Sequence, residues 1–383
     1  MNALFQPNPK VSTVLLFLCY LFLIYFIAGW QIIPMYPIWG VDLHCIWNFH
    51  HCGPYANSPY LIEGKVCGDL YNRPMVYPPL HYWSFAWTRL LGFKEAVIFL
   101  AIAISGTLIF SYKVWVQKSL ESTAVFGIWV LLILQYPTIF QIERASNDLP
   151  VYIWLLASVV CFKKEKYLLS GLFCALCAST KLYPVFLFAA IGLASLLIPR
   201  LRMWAVGATS GLILAHIFTP LDTFTYFSKV MPSHAVNDLP LGADALVSHT
   251  LQSLHSNHIW IAKAIFFAVW GGFVWRTIKD VMRKPVFIFA LGISLCTYYA
   301  AVSWDYHLIL VYPLLFYVFM AAYKNKSPIL YIFFILGITF YFFDRRILLE
   351  LKWNDILTKW QFIWLSAIVF YMHKHIDVER TET

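Results

Sequence analysis

Long apolar runs alternate with polar connections along most of the chain. Twelve runs are present, at about 12–34, 96–112, 122–141, 149–162, 167–180, 184–198, 203–219, 259–275, 286–302, 307–323, 328–343 and 359–373. A helix needs about 20 apolar residues to cross a bilayer at right angles. Several runs are shorter, so two or three of them would be re-entrant or locally thin the bilayer. The pattern predicts an all-α, polytopic integral membrane protein with about 10–12 transmembrane helices in a single domain, residues 1–383.

The composition favours this class and excludes others. Hydrophobic residues make up 61% of the chain and charged residues 12%, whereas soluble domains carry about 25% charged residues. The first apolar run is too long for the core of a signal peptide and no small-residue cleavage pattern follows it, so we interpret it as a retained span. The net charge is +9, but the chain has no basic arm, zinc-finger spacing or nucleotide-binding glycine loop. Binding to nucleic acid is therefore not expected.

The distribution of Lys and Arg predicts the orientation. If the N-terminus is cytoplasmic and the spans alternate, the inner side holds 16 basic and 6 acidic residues, and the outer side 12 basic and 13 acidic residues. Short inner loops of membrane proteins are enriched in Lys and Arg. The outer side then carries long loops at about 35–95, 220–258 and 344–358. We expect interfacial helices in the first loop, with 80–93 lying flat at headgroup level, and function on this outer face.

The stretch GVDLHCIWNFHHC, residues 40–52, opens the first outer loop. Asp42 follows the first span by a few residues and is either a loop acid or helix N-cap, or a partly desolvated general base. His44 is a candidate contact for an acceptor or a lipid headgroup. The cysteines and histidines of the stretch match no common zinc spacing, so no metal is predicted. A disulfide is left open among the three cysteines of the loop: Cys45, Cys52 and Cys67.

The later part of this loop, CGDLYNRPMVYPPLHYW, residues 67–83, is rich in aromatic residues. Pro78 and Pro79 cannot lie inside a helix, so VYPP predicts an extended entry into the interfacial helix. Ring faces and hydroxyls suit a sugar or a lipid headgroup, and the alternative is an ordinary interfacial belt. The candidate binding residues are Tyr71, Arg73 and Tyr77.

Two polar segments begin or interrupt apolar runs on the same side. ERASNDLPVY, residues 143–152, either caps the next helix or contributes Arg144 and Asn147 to a site. STKLYP, residues 179–184, places Lys181 between two apolar runs without a polar loop. A charged side chain inside a span costs about 2.5–3.5 kcal/mol on insertion scales. Lys181 should therefore face a cavity or a partner, for which a phosphate is suited, unless it snorkels to the interface.

The last candidate is His307, in a short outer turn between two late runs. A lone histidine is more often structural than catalytic, but Asp305 and Tyr306 make this turn polar and aromatic. In contrast, CALC, residues 174–177, lies inside an apolar helix, where a redox or metal role is not expected.

The order of these motifs resembles glycosyltransferase family 87 of the GT-C superfamily, the membrane mannosyltransferase-like proteins. The shared features are an acid soon after span one, a YPP segment, a K-x-YP helix pair and a late SW-x-HH turn. The stretch KYLLSGLFCALCASTKLYPVFLF is the best match, and the resemblance covers about residues 12–320. The chain departs from the family where Tyr306 replaces the first His of the late turn, and where Ala-Ser replaces Gly-Gln before Asn147.

The resemblance implies a GT-C fold and transfer of a hexose such as mannose from a polyprenyl-phosphate donor to a lipid-linked or glycan acceptor, as in glycolipid biosynthesis. It implies a bacterial inner membrane with the site on the periplasmic face. Asp42 matches the general base, Lys181 the K-x-YP lysine and His307 the second His of the late turn. Lys181 and Arg144 would stabilise the departing phosphate. One base with direct displacement predicts inversion, and no cofactor is expected.

Two alternatives stay open. A glycolipid transporter or flippase should show internal repeats and paired broken helices, and no repeat between the halves of the sequence is visible. A glycan ligase or polymerase would instead use a lipid-diphosphate donor.

Overall fold

The computed structural model describes residues 40–51, 60, 77–116, 120–230, 259–299, 309–342 and 354–371. Over these residues the chain is all-α, without a strand. The α-helices are α1 Val41–His51, α2 Pro79–Trp83, α3 Phe93–Trp115, α4 Thr123–Ile133, α5 Tyr136–Glu143, α6 Leu149–Lys163, α7 Tyr167–Thr180, α8 Val185–Leu197, α9 Arg202–Ile217, α10 Pro220–Thr225, α11 Ile259–Asp280, α12 Pro285–Tyr299, α13 Tyr312–Asn325, α14 Pro328–Phe342 and α15 Asn354–Phe370. Short 3₁₀ helices cover Ala86–Leu90 and Pro199–Leu201, and a π-helical turn covers Tyr226–Val230.

These helices follow the apolar runs of the sequence. Eleven of the twelve runs overlap described helices, and the first, 12–34, lies outside the described residues. The run 122–141 is divided into two helices, because α4 ends at Ile133 and the axis changes direction by 53° before α5. Pro137 lies in the first turn of α5, where its missing N–H costs no helical hydrogen bond.

Two late helices, α12 and α13, form the centre of the described structure. Every residue from Tyr312 to Ala322 is buried, and so is every residue over 286–297. Helices that are apolar on all sides are stable when they are surrounded on all sides. Here the neighbours of this pair include α4, α6, α8, α11 and α14.

A second packing unit is formed by α6, α7 and α9. Helix α7 lies between the other two, and glycines bring the backbones of α7 and α9 into direct contact. A Cβ atom at Gly207 would overlap the carbonyl oxygen of Leu168, and one at Gly171 would overlap that of Trp204. Gly207 and Gly211 have the GxxxG spacing that permits such close approach between helices in membranes.

Helix length and composition identify membrane-span candidates among the described residues. Helix α3, with 23 residues, is long and apolar enough on its own to cross a bilayer, and there are up to three such spans if the bent pairs α4–α5 and α9–α10 each count as one. Seven further apolar helices have 10–17 residues, fewer than the roughly 20 of a perpendicular span. Large apolar side chains are nevertheless exposed, for example Phe110 on α3, Ile213 on α9 and Ile329 on α14.

The segment expected to form one flat helix over 80–93 is two short elements. Pro78 is extended, with φ −59° and ψ 155°, and Pro79 is the first residue of α2. The extended entry predicted from VYPP is therefore present. The chain then turns into the 3₁₀ helix Ala86–Leu90 before α3 begins.

Candidate functional site

A sharp corner between α5 and α6 places two charged residues of the site. The N–H of Ser146 donates to the carbonyl of Gln141 (2.8 Å), and that of Ala145 to the carbonyl of Ile142 (3.0 Å). Ala145 has φ +46°, the left-handed conformation that usually selects glycine at the end of a helix. This ending turns the chain out of α5 within a few residues, so that Arg144 and the start of α6 lie at the same corner.

The start of α1 is bonded to this corner. The N–H of Gly40 donates to the carbonyl of Glu143 (2.9 Å), and that of Asp42 to the carbonyl of Arg144 (3.0 Å). The side chains add two bonds, from Arg144 Nε to Asp42 Oδ2 (2.8 Å) and from Arg144 Nη2 to Asp42 Oδ1 (2.6 Å). Both side chains are buried. A bidentate guanidinium–carboxylate pair fixes orientation as well as distance, so the corner holds Asp42 in one geometry.

A second buried ion pair joins the α7–α8 connection to the start of α6. Lys181 Nζ lies 2.5 Å from Asp148 Oδ1, and the Tyr183 hydroxyl donates to the same oxygen at 3.3 Å. The Ser146 hydroxyl donates to Asp148 Oδ2 at 3.3 Å. Asp148 stands at the N-cap position of α6 but makes no side-chain cap bond. Its carboxylate serves Lys181 instead, and Lys181 is buried rather than extended to the interface.

Tyr77 contacts one ion pair through Lys181 and is influenced by the charge of Asp42 in the other. Lys181 Nζ is 4.8 Å from the centroid of its ring, a cation–π contact. Burial raises the pKa of Tyr77; the Lys181 ammonium opposes this, and the carboxylates of Asp42 and Asp148 act in the same sense as burial. All three charges therefore act on one hydroxyl group, so the two pairs belong to one site.

His81 and Asn147 lie beside Tyr77. The ring centroids of His81 and Tyr77 are 4.4 Å apart, and His81 is fully buried on α2. Burial lowers the pKa of His81 well below its usual range, and the Lys181 ammonium lowers it further, so His81 is neutral at pH 7. The amide of Asn147, also buried, stabilises the Tyr77 phenolate form.

The structure brings together five of the nine site residues predicted from the sequence. They are Asp42, Arg144, Asn147, Lys181 and Tyr77. His44 lies on the other side of α1, about 200° around the helix from Asp42. Its ring packs edge-on against Phe93 (centroids 5.1 Å apart), and its Nδ1 is 3.1 Å from Asn48 Nδ2. The remaining three lie outside the described residues: Tyr71, Arg73 and His307.

Three residues of the site were not selected from the sequence: Asp148, Tyr183 and His81. A signal for Asp148 was present, because a lysine buried in an apolar setting requires an acid on the same side, and ERASND supplies one. Tyr183 lies in the same STKLYP stretch as Lys181. His81 follows the YPP segment, and no spacing rule distinguishes it from an ordinary interfacial histidine.

The histidines of α1 do not converge on one point. His50 Nε2 donates to the carbonyl of Tyr82 (2.8 Å), and His51 Nδ1 to that of Trp47 (2.8 Å). Burial lowers the pKa of His50 to about 4. Over the described ranges, no three or more His, Cys, Asp or Glu side chains are grouped to bind a metal ion. Cys52 and Cys67 lie outside the described residues, so a disulfide in this loop stays a prediction.

The thiols of CALC lie inside the helix packing. Cys174 and Cys177 are buried on α7, and the Cys177 thiol lies 3.4 Å from the carbonyl of Val151.

Comparison with known proteins gives no relative. No protein-family model matches the chain, and neither the curated proteins nor the solved structures contain a match. The function is therefore argued from the site.

Proposed function

We propose that the protein is a membrane glycosyltransferase that transfers a hexose such as mannose from a polyprenyl-phosphate donor to a lipid-linked or glycan acceptor. One observation carries the proposal, namely the buried cluster of two cations and two carboxylates around Tyr77. Arg144 reaches Asp42 over 102 positions of sequence, and Lys181 reaches Asp148 over 33. Buried charges in apolar helices are costly, and sites that bind charged ligands are where such charges are expected.

The position of the cluster supports an outer-face site. Helix α6 runs from Asp148 at the cluster to Lys163, a distance of about 22 Å for fifteen residues at 1.5 Å each. Helix α7 returns from the basic turn, which contains Lys164 and Lys166, to Lys181 at the cluster. The basic turn and the ion pairs are therefore at opposite ends of one helical hairpin. If the basic turn is cytoplasmic, as the bias in Lys and Arg indicates, the cluster is on the outer side.

The two kinds of charge correspond to the two requirements of the transfer. The acceptor hydroxyl attacks the anomeric carbon and passes its proton to Asp42, while the bond from that carbon to the phosphate oxygen breaks. The polyprenyl phosphate leaves with additional negative charge, which Lys181 and Arg144 stabilise. Displacement from one face inverts the anomeric configuration.

Arg144 also positions the proposed base. A carboxylate has about four lone-pair directions for hydrogen bonds, and Arg144 supplies two donors to Asp42. The guanidinium therefore holds the proposed base in one orientation.

A glycolipid transporter or flippase is the second candidate. The 53° break between α4 and α5 favours it, because transporters place discontinuous helices at their binding sites, and α5 leads directly to Arg144. A glycan ligase with a diphosphate donor is the third.

The decisive experiment supplies the purified protein in nanodiscs with labelled polyprenyl monophosphate hexose or polyprenyl diphosphate hexose, together with an acceptor glycolipid. We expect transfer from the monophosphate donor alone. Asp42→Asn should lower the rate by about 10²–10⁴-fold, the typical contribution of a general base. Glu165→Gln, at the exposed turn between α6 and α7, is the control and should retain full activity.

The other outcomes separate the candidates. Lipid movement across proteoliposomes without a transfer product would favour the transporter, and product from the diphosphate donor alone would favour the ligase. Full transfer by a folded Asp42→Asn variant would show that another residue is the base.

A further inference from the structure

Two neutral polar side chains beside Tyr77 have unmet hydrogen-bonding capacity. Neither ring nitrogen of His81 has a hydrogen-bond partner among the described residues, and the Asn147 amide has none beyond its interaction with the Tyr77 hydroxyl. His81 is 0% exposed and Asn147 1%. Buried polar atoms are nearly always hydrogen-bonded, because removing them from water without a new partner is unfavourable. Unmet polar atoms from two side chains beside one ring indicate that something polar binds there.

These atoms come from different elements that meet at the ion pairs. His81 lies on α2, and Asn147 lies in the corner between α5 and α6. The hydroxyl of Ser179, near the end of α7 and two residues before Lys181, likewise has no partner within the described residues. Lys181 contacts Tyr77, and its charge acts on His81. The unmet atoms therefore adjoin the charged cluster.

We infer that His81 and Asn147 bind hydroxyl groups of the donor's sugar, next to the cations that bind its phosphate. The inference rests on the proposed function and names the residues that recognise the sugar. A neutral imidazole offers one donor and one acceptor, and an amide offers two donors and an acceptor. Sugar hydroxyls both donate and accept, so this mixture fits them. An ionised phosphate only accepts, and the cations suit it better.

If His81 had a purely structural role, only the packing of its ring would be needed, and not its nitrogens. Its ring packs against Tyr77 and against Phe85, with centroids 4.4 Å and 5.4 Å apart. A phenylalanine ring satisfies such packing without carrying polar atoms into the interior. If the nitrogens serve only a ligand, removing them should stabilise the ligand-free protein and weaken recognition of the sugar.

The first measurement is the thermal stability of ligand-free variants in nanodiscs. His81→Phe should raise Tm by about 2–4 °C, since it removes unpaired buried atoms. The matched control is His50→Phe on α1, which loses a bond to the Tyr82 carbonyl and should lower Tm. A fall in Tm for His81→Phe would show that its nitrogens have structural partners, and would overturn the assignment of His81.

The second measurement is the affinity for polyprenyl phosphate with and without a hexose. The wild type should bind the hexose form more tightly, and His81→Phe and Asn147→Leu should each lose about tenfold of that gain, equivalent to about 1.4 kcal/mol. Binding of bare polyprenyl phosphate should not change. If His81→Phe does not fold, Asn147→Leu provides the same test.

The outcomes distinguish the two proposals. If both variants retain the full gain from the hexose, or if the wild type shows no gain, these polar atoms bind no sugar and the inference is wrong, while the transferase proposal stands on its own assay. If the wild type binds neither lipid, the proposed function fails and this inference fails with it.

Discussion

Two buried ion pairs within one corner are a poor means of stabilising a protein. Removing each charge from water costs several kcal/mol, and replacing a buried pair with apolar residues is often neutral or stabilising. Asp42–Arg144 and Asp148–Lys181 are both buried, and they lie next to unpaired polar atoms of His81 and Asn147. At the residue scale this pattern is better explained by ligand binding than by stability.

The Asp148–Lys181 pair allows a test of this view. Asp148→Asn leaves the Lys181 ammonium buried without its carboxylate, so we expect a loss of about 3–5 kcal/mol in the free energy of unfolding. The double variant Asp148→Leu, Lys181→Met should recover most of the stability but none of the transfer activity. Denaturant unfolding and the transfer assay measure the two effects. In the control Glu121→Gln, which disrupts the exposed Lys113–Glu121 pair, the change should stay below about 1 kcal/mol. Recovery of activity in the double variant would show that transfer does not require Lys181.

His50 gives the folded protein a dependence on pH. Its pKa is lowered from 6.5 to about 4, so between these values the unfolded state binds a proton that the folded state does not. The contribution of His50 to stability should therefore fall as pH drops below 6.5, by up to about 2 kcal/mol at pH 5, with no contribution above 6.5. His50→Gln should remove this part of the loss of stability between pH 6.5 and 5, while His81, whose pKa burial also lowers, keeps its own part. His51→Gln, at an exposed position, should leave the profile unchanged. Equal profiles for the wild type and His50→Gln would contradict the assignment.

The sequence predicted the charged residues of the site better than their pairing. Asp42, Arg144 and Lys181 were selected because charges beside apolar runs require a reason, and that argument is local. Which acid meets which base depends on the corner at Ala145, whose left-handed conformation is not signalled by a glycine. His81 was not selected from the sequence, because its burial results from packing between segments that are distant in the chain.

At the element scale, the contact between α7 and α9 depends on the absence of side chains. Gly171 on α7 and Gly207 on α9 each face a carbonyl oxygen of the other helix. Lys181 immediately follows α7. The contact with α9 therefore fixes the position of the helix that leads to Lys181. GxxxG spacing in α9 was visible in the sequence, but its partner helix could be found only in the structure.

Gly207→Ala should therefore destabilise the protein. The new Cβ would overlap the Leu168 carbonyl oxygen, so the helices must separate, and overpacking of this kind costs about 1–3 kcal/mol. Gly127→Ala is the matched control, because nothing lies within 4 Å of its Cβ position on α4 and alanine favours helix by about 0.5–1 kcal/mol. The midpoint of thermal unfolding should fall for the first variant and hold or rise for the second. A tolerated Gly207→Leu would show that α7 and α9 do not pack this closely.

Element boundaries were predictable where proline or polar residues mark them. Pro78 and Pro79 correctly predicted the extended entry to α2. The break within the run 122–141 was not predicted from Pro137, because a single proline in a long apolar run also occurs inside kinked helices. The flat helix expected over 80–93 is instead two short elements, since its residues pack partly inward: His81, Tyr82 and Thr88 are buried.

At the scale of the whole molecule, apolar residues occupy both the centre and much of the described exterior. The centre is α12 and α13, while Phe110, Ile213 and Ile329 are more than half exposed on other helices. Soluble monomers rarely expose extended apolar surface, so this distribution suits a lipid environment. Runs that are apolar all round look alike in sequence. The sequence alone could not show which helices are enclosed and which face outward.

The α6–α7 hairpin has a basic turn at one end and the ion pairs at the other. This arrangement predicts which side of a membrane the site faces. In a background without the eight native cysteines, Leu90→Cys, 84% exposed close to α2, should react with a membrane-impermeant maleimide added to intact cells. Glu165→Cys, at the exposed basic turn, should react only after the cells are opened. A variant that keeps Cys174 alone, buried on α7, controls for reagent that penetrates the protein. The opposite labelling pattern would place the ion pairs in the cytoplasm, where nucleotide-activated donors are available. An outer-face site would then be excluded, and with it the reason to prefer a polyprenyl-phosphate donor.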